Sequence, residues 1–254
     1  MAVMDEFRKE REAIRKESFR KKAEYFWQYY KWNTILILGI IICVGSIIYT
    51  RMTEPKIELN GIILNATSSG IEERTNNLLD NFFKEKKLNL SKDNFRFDTS
   101  LVFLSTGKTE AITSNYSTFQ VLQTQSASGK LDFIIGDAIG MTTLSYRNYF
   151  VDLRTVLTEG QLKKYEPYLC YMDLDFMEKM ENSMAYYDES VVLEYPDCKN
   201  PEKMGNPIPV LIDLSSSNQI TEMYDFPIDT PVFGIVCTSH VDMALHFMDF
   251  LLFH

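Results

Sequence analysis

Between Trp32 and Tyr49 the chain reads WNTILILGIIICVGSIIY, 18 residues without a charged side chain. At about 1.5 Å per helical residue this run reaches roughly 27 Å, close to one bilayer hydrocarbon core. Both tryptophans, Trp27 and Trp32, stand on its N-terminal side with Tyr25, Phe26, Tyr29 and Tyr30. Such half-wet rings suit the headgroup level. The pattern predicts a transmembrane helix over 32–50 and a short stalk over 51–56, where Pro55 breaks a continuing helix. In residues 1–31, Val3, Met4, Phe7 and Ile14 share one helical face. This segment reads either as a basic helix lying along an anionic membrane surface or as a topology signal with no partner.

Beyond the stalk the period changes. IELNGIIL (57–64) is a mostly apolar strand, and 65–70 is a polar turn. Ile71, Leu78, Leu79, Phe82 and Phe83 then recur at helical spacing, and Ser69 with Glu72 has the pattern of a capping box. FRFDTSLVFL (95–104) reads as a second strand, about 115–126 as a helix closed by Gly129, and LDFIIG (131–136) as a third strand apolar on both faces. IPVLIDL (208–214) and VFGIVC (232–237) follow as strands, and 240–253 is a helix too short to span a bilayer. Residues 170–205 carry the weakest pattern, with a helix near 174–185. Doubly apolar strands separated by helices predict an α/β domain over 57–254, a mostly parallel sheet with helices on both faces.

Charge sets the orientation. The 254 residues carry a net charge of −9, but residues 1–31 hold 9 basic and 6 acidic side chains while 51–254 hold 17 and 29. Lys21, Lys22 and Lys31 therefore mark the N-terminal side as cytoplasmic, with Arg51 and Lys56 competing weakly beyond the span. No small-x-small cleavage site follows Tyr49, and Ile42 before Cys43 does not fit a lipoprotein signal, so the anchor is expected to stay. The expected location is a cell membrane, single-pass, with the C-terminal domain extracytoplasmic. With 45% hydrophobic residues, only 11 Gly and 4 Cys, the chain is neither disordered, collagen-like nor a disulfide scaffold. The acidic balance argues against a nucleic-acid partner.

Catalytic signatures are absent: there is no G-x-S-x-G, H-E-x-x-H, G-x-G-x-x-G or phosphate loop. Asp132 opens the third strand and Asp137 closes it, roughly 16 Å apart, so they cannot act as an acid–base pair. His240, His246 and His254 read as surface or capping residues, and the first two fall on different helix faces. No enzyme, no cofactor and no metal site is expected. Cys170, Cys198 and Cys237 lie outside the membrane, so at most one bridge can form with one thiol left over.

One place keeps a functional reading. Ligands of open parallel sheets bind beyond the carboxyl ends of the strands. That edge would gather Asn65, Thr67 and Ser68 after the first strand, Ser105 and Thr106 after the second and Asp137 after the third. Ser68 and Ser69 also stand at a helix N-terminus, where free N–H groups welcome an anion. Ordinary turn and capping chemistry uses the same residue types.

The run SGKLDFIIGDAIGMTTLSYRNYFVDLRTVLTEGQLKKY (128–165) resembles a segment of the extracellular solute-binding proteins of ABC importers. The resemblance rests on Asp132, the apolar 133–135, Gly136 and Asp137 at a strand end, and on Tyr149, Phe150, Asp152 and Leu153 in a following turn. The strand–helix order over 57–136 is similar to the first half of one lobe of that fold, and 231–253 to its return strand and following helix. The resemblance implies a solute-binding-protein-like lobe facing outward, in the envelope of a Gram-positive bacterium. About 200 outer residues suffice for one lobe where family members close two on a ligand, and a transmembrane helix replaces the usual lipid anchor. Two roles follow. One is a module that presents or senses a small solute or peptide; the other is a non-catalytic protein whose lobe has lost ligand binding and docks on a membrane or envelope partner.

Overall fold

A computed structural model describes residues 18–53, 56–66, 69–88, 91–104, 109–182, 194–224, 230–236 and 239–254. The chain divides into two compact units, Met1–Pro55 and Lys56–His254.

In the first unit, α1 (Phe19–Thr53) is one continuous helix of 35 residues. Its stretch Tyr30–Thr50 has a mean hydropathy of 2.1 and none of it is buried, so it is long and apolar enough to cross a membrane. The expected span 32–50 thus lies inside a longer helix. Nothing between Phe19 and Lys31 interrupts it, because that stretch contains neither Gly nor Pro. Residues 1–17 of the expected basic helix lie outside the described residues.

The second unit holds six strands, β1 (Leu59–Ile63), β2 (Phe95–Asp98), β3 (Phe133–Asp137), β4 (Leu169–Asp173), β5 (Pro207–Asp213) and β6 (Pro231–Ile235), in the order β2-β1-β3-β6-β5-β4. The parallel arrangement expected from strand–helix alternation holds for β2, β1 and β3. From β6 onward each pairing is antiparallel, so the sheet is mixed. Its helices are α2 (Ile71–Lys86), α3 (Thr109–Ala127), α4 (Ala138–Ser145), α5 (Glu159–Tyr165), α6 (Leu174–Glu181), α7 (Asn218–Thr221) and α8 (Val241–Phe253).

Alternate strand residues feed two buried clusters, as the two-residue repeat of a strand requires. Leu59, Ile63, Phe133, Ile135 and Phe233 pack with Phe82 of α2 and Phe247 of α8. Ile62, Ile134 and Val232 pack with Leu122 of α3, Leu144 of α4 and Met180 of α6. The first cluster is aromatic-rich. The Phe133 ring stacks on Phe233 at 4.9 Å and lies 5.4 Å from Phe97 and 5.3 Å from Phe247. Room for it comes from Gly61, its partner across the β1–β3 ladder, which has no side chain to occupy that space.

Three local departures from the sequence reading have physical causes. Gly70, not Ser69, is the N-cap of α2; its φ of 77° is one glycine adopts freely, and no side chain caps the helix there. The second strand stops at Asp98 because its carboxylate turns back to accept from the Ser100 N–H (2.9 Å) and hydroxyl (2.7 Å). The apolar 101–104 segment is instead fastened from outside the sheet by Asn65, Asn115 and Thr118. Finally, β4 falls where the pattern was weakest, at an edge of the sheet.

Candidate functional site

Strand direction decides which segments meet. β1, β2, β3 and β5 run one way and β4 and β6 the other. The carboxyl edge therefore gathers the segments after the first group together with those leading into β4 and β6.

At that edge Asn65 follows β1 in a left-handed conformation (φ 58°). Its Oδ1 accepts from the Phe103 N–H at 2.8 Å, and its Nδ2 donates to the Phe103 carbonyl at 2.8 Å and to Asp137 Oδ2 at 3.3 Å. Its backbone N–H donates to Leu101 at 3.0 Å. Asn65 thus acts as a one-residue strand for 101–103. Asp137 ends β3 and caps α4, where Oδ1 accepts from the Gly140 N–H at 2.8 Å. Next to it the Ala138 N–H donates to Thr230 at 3.1 Å. The buried Tyr224 hydroxyl donates to the Leu64 carbonyl at 3.0 Å; burial, then the nearby Asp137 charge, pushes that phenol up from its ordinary value.

The structure thus brings together Asn65 and Asp137, 72 residues apart in sequence. Thr67, Ser68, Ser105 and Thr106 lie outside the described residues. Among the described residues Asp137 forms no ion pair. Beside it, Ala138, Ile139 and Thr142 of α4 face the 195–198 segment across an open pocket of about 230 Å³. A larger open groove of about 510 Å³ runs between α3 and the turn after α4, lined by Phe119, Gln123, Arg147 and Tyr149.

The opposite, amino edge holds polar groups that the sequence reading placed apart. Asp132 is fully buried, with Oδ2 accepting from the Asn60 N–H at 2.7 Å. His240 Nδ1 lies 3.1 Å and 3.2 Å from its two carboxylate oxygens. Burial raises the Asp132 carboxyl against the opposing pull of Asn60 and His240. His240 does occupy the N-cap position of α8, but its ring makes no cap bond and binds Asp132 instead. No local signal could have shown a contact spanning 108 residues. Asp173, at the same edge, accepts from Gly205, Asn206 and Asp175 N–H groups at 3.0–3.1 Å. His246 is exposed, and His254 lies 3.5 Å from Glu85. No group of three or more His, Cys, Asp or Glu residues able to hold a metal ion is found among the described residues.

No protein-family model, no curated protein and no solved structure matches the chain.

Proposed function

We propose that this is a single-pass membrane protein with its N-terminus in the cytoplasm, carrying outside the membrane a non-catalytic, solute-binding-like lobe that presents or senses a small solute or peptide. The observation that carries this reading is Asp137: a half-buried carboxylate at a strand end, fixed by Asn65 and Gly140, beside an open pocket and with no cation paired to it among the described residues. A ligand with an amine or several hydroxyls would supply what that carboxylate lacks. Further support comes from β6, the return strand that the resemblance implies, beside β3, and from two core clusters of the kind a sheet with helices on both faces would have. An envelope of Gram-positive type follows from the same resemblance.

A specific observation favours the second reading, docking on an envelope partner. Val102, Leu104 and Ile139 expose 44%, 40% and 58% of their surface near this edge. One experiment separates the two. The full chain in detergent is melted with sugars, amino acids and oligopeptides up to millimolar concentration. A ligand at a hundredfold excess over its Kd contributes about 2.7 kcal/mol. That raises the melt of a domain this size by roughly 5–10 °C. Asp137→Asn, which keeps a cap, should abolish the shift. Silence across the panel would sink the solute reading and leave docking; a shift that survives Asp137→Asn would move the ligand elsewhere.

A further inference from the structure

Cys170 and Cys198 are 28 positions apart in sequence and adjacent in space. Cys170 lies on β4, at an irregularity in the β4–β5 ladder between it and Tyr171. The Tyr171 N–H donates to the Cys198 carbonyl at 2.7 Å, which lays residue 198 against this strand as a further strand would lie. The two side chains belong to one buried cluster, 0% and 7% exposed. They differ in access. Cys170 is enclosed, whereas Cys198 forms part of the wall of the open pocket beside α4.

We infer that Cys170 and Cys198 are a redox-active pair that closes to a disulfide, with Cys198 the thiol that reacts first. The co-reactant is an exchangeable disulfide, from a small molecule or a thiol–disulfide oxidoreductase. The Cys198 thiolate attacks one sulfur of that disulfide, forming a mixed disulfide and expelling the other sulfur as a thiolate. Cys170, deprotonated in turn, attacks Cys198 Sγ and expels the second donor sulfur. The two protons from Cys170 and Cys198 end on the two expelled thiolates, so one disulfide is reduced as one is formed. The surroundings favour this order. The neighbouring Cys170 thiol lowers the Cys198 thiol against burial and the Asp197 charge, with Lys199 and the Thr142 hydroxyl helping, while Cys198 and burial raise Cys170. A low thiol with access attacks, and a high, enclosed one resolves. The bridge would tie edge strand β4 to the segment before β5, enclosing residues 171–197. The pairing is independent of whether the lobe binds a solute.

The test uses the full-length protein in detergent with Cys43→Ser and Cys237→Ser, so that only this pair remains. After treatment with oxidised glutathione, free thiols are alkylated and the unreduced digest is weighed by mass spectrometry. The expected product is a linked peptide pair carrying Cys170 and Cys198, lighter than the two free peptides by two hydrogens. Its denaturant midpoint should rise on oxidation. Adding Cys170→Ser should trap glutathione on Cys198, while Cys198→Ser should leave Cys170 unmodified until the protein is unfolded. A circular-dichroism melt confirms that each variant is folded, and the linked peptide in the parent does not depend on either. Full alkylation of both thiols after oxidation of the folded parent would overturn the pairing, as would a link from Cys198 to Cys237 in the wild-type digest. Glutathione trapped on Cys170 in folded Cys198→Ser would overturn the order of reaction.

Discussion

Gly61→Ala tests the centre of the sheet. A Cβ at this position would lie 2.0 Å from Phe133 Cζ, 2.3 Å from Cε1 and 2.5 Å from Cε2. Carbon atoms in contact stand about 3.5–4.0 Å apart, so the ring must retreat by roughly 1.5 Å. It has nowhere to go. Phe233 is stacked on it, and Phe97 and Phe247 hem its remaining sides, with the ring fully buried. Overpacking of this kind costs about 1–3 kcal/mol, while alanine returns roughly 0.5–1 kcal/mol of backbone entropy in a strand. With no room to relax, the net loss should be about 2 kcal/mol, a fall of roughly 4–8 °C in the melt. Phe133→Leu alone should also destabilise, by less than the 3–5 kcal/mol typical of Phe→Ala. Together the two should be less harmful than their sum, with a favourable coupling of about 1–2 kcal/mol. Urea unfolding of the 56–254 unit in all four forms measures the cycle. Penalties that add to within about 0.5 kcal/mol would show that the ring does not rest on Gly61.

The remaining predictions use other parts of the molecule. Burial alone would raise the Asp173 carboxyl, but the Asn206, Gly205 and Asp175 N–H groups more than offset this and hold it below its ordinary value. Its stabilisation is therefore present above the unfolded value near 3.9 and lost as pH falls through the lower folded value. Asp173→Asn should cost about 1–3 kcal/mol at neutral pH by turning a donor toward donors. That penalty should shrink near pH 2, and urea midpoints showing an equal penalty at both pH values would refute the assignment. Asp137→Ala removes the α4 cap and should cost roughly 0.5–2 kcal/mol, whereas Asp137→Asn should melt within a few tenths of wild type. Protease added to spheroplasts should remove the 56–254 unit and spare an N-terminal tag; protection of a C-terminal tag would reverse the orientation.

What the sequence disclosed follows from how local each cause is. The long apolar helix was legible because its signal is an unbroken run, and β1, β3, β5 and β6 because each is a short apolar segment bounded by polar turns. Helices α2 and α8 were legible from one buried face each. LCYMD of β4 mixes half-buried and buried positions at a sheet edge, so it shows neither alternation nor a full apolar run. The apolar run 101–104 misled for the opposite reason. It is fastened by Asn65, a residue 38 positions from Phe103, rather than by a neighbouring strand. The same distance hid the chemistry. Strand-end reasoning found Asn65 and Asp137 because topology alone makes them neighbours. Asp132 with His240, and Cys170 with Cys198, meet only through side-chain placement after the chain has folded.

The reversal at β6 explains why the two edges of one sheet differ in what they can do. In a purely parallel sheet the carboxyl edge is built only from segments that follow strands. Here the segment leading into β6 joins them, so that Thr230 holds the Ala138 N–H from one side while Asn65 holds Asp137 from the other. The Asp137 carboxylate is thereby held between Asn65 and the Gly140 N–H, and it pairs with no cation among the described residues. At the amino edge the carboxylates are used up. Asp132 is shared between the Asn60 N–H and the His240 ring, and Asp173 between the N–H groups of Gly205, Asn206 and Asp175. Buried acceptors satisfied in this way hold elements together and have little left to offer a ligand. Both proposed readings, solute and partner protein, draw on the carboxyl edge, where the exposed apolar Leu104 and Ile139 and the Asp137 carboxylate are found. A solute needs the carboxylate, and a docking partner needs the apolar side chains. Because Ile139 also lines the pocket beside Asp137, replacing Asp137 by Asn and Leu104 by Ser in separate proteins is the pair that perturbs the two readings separately.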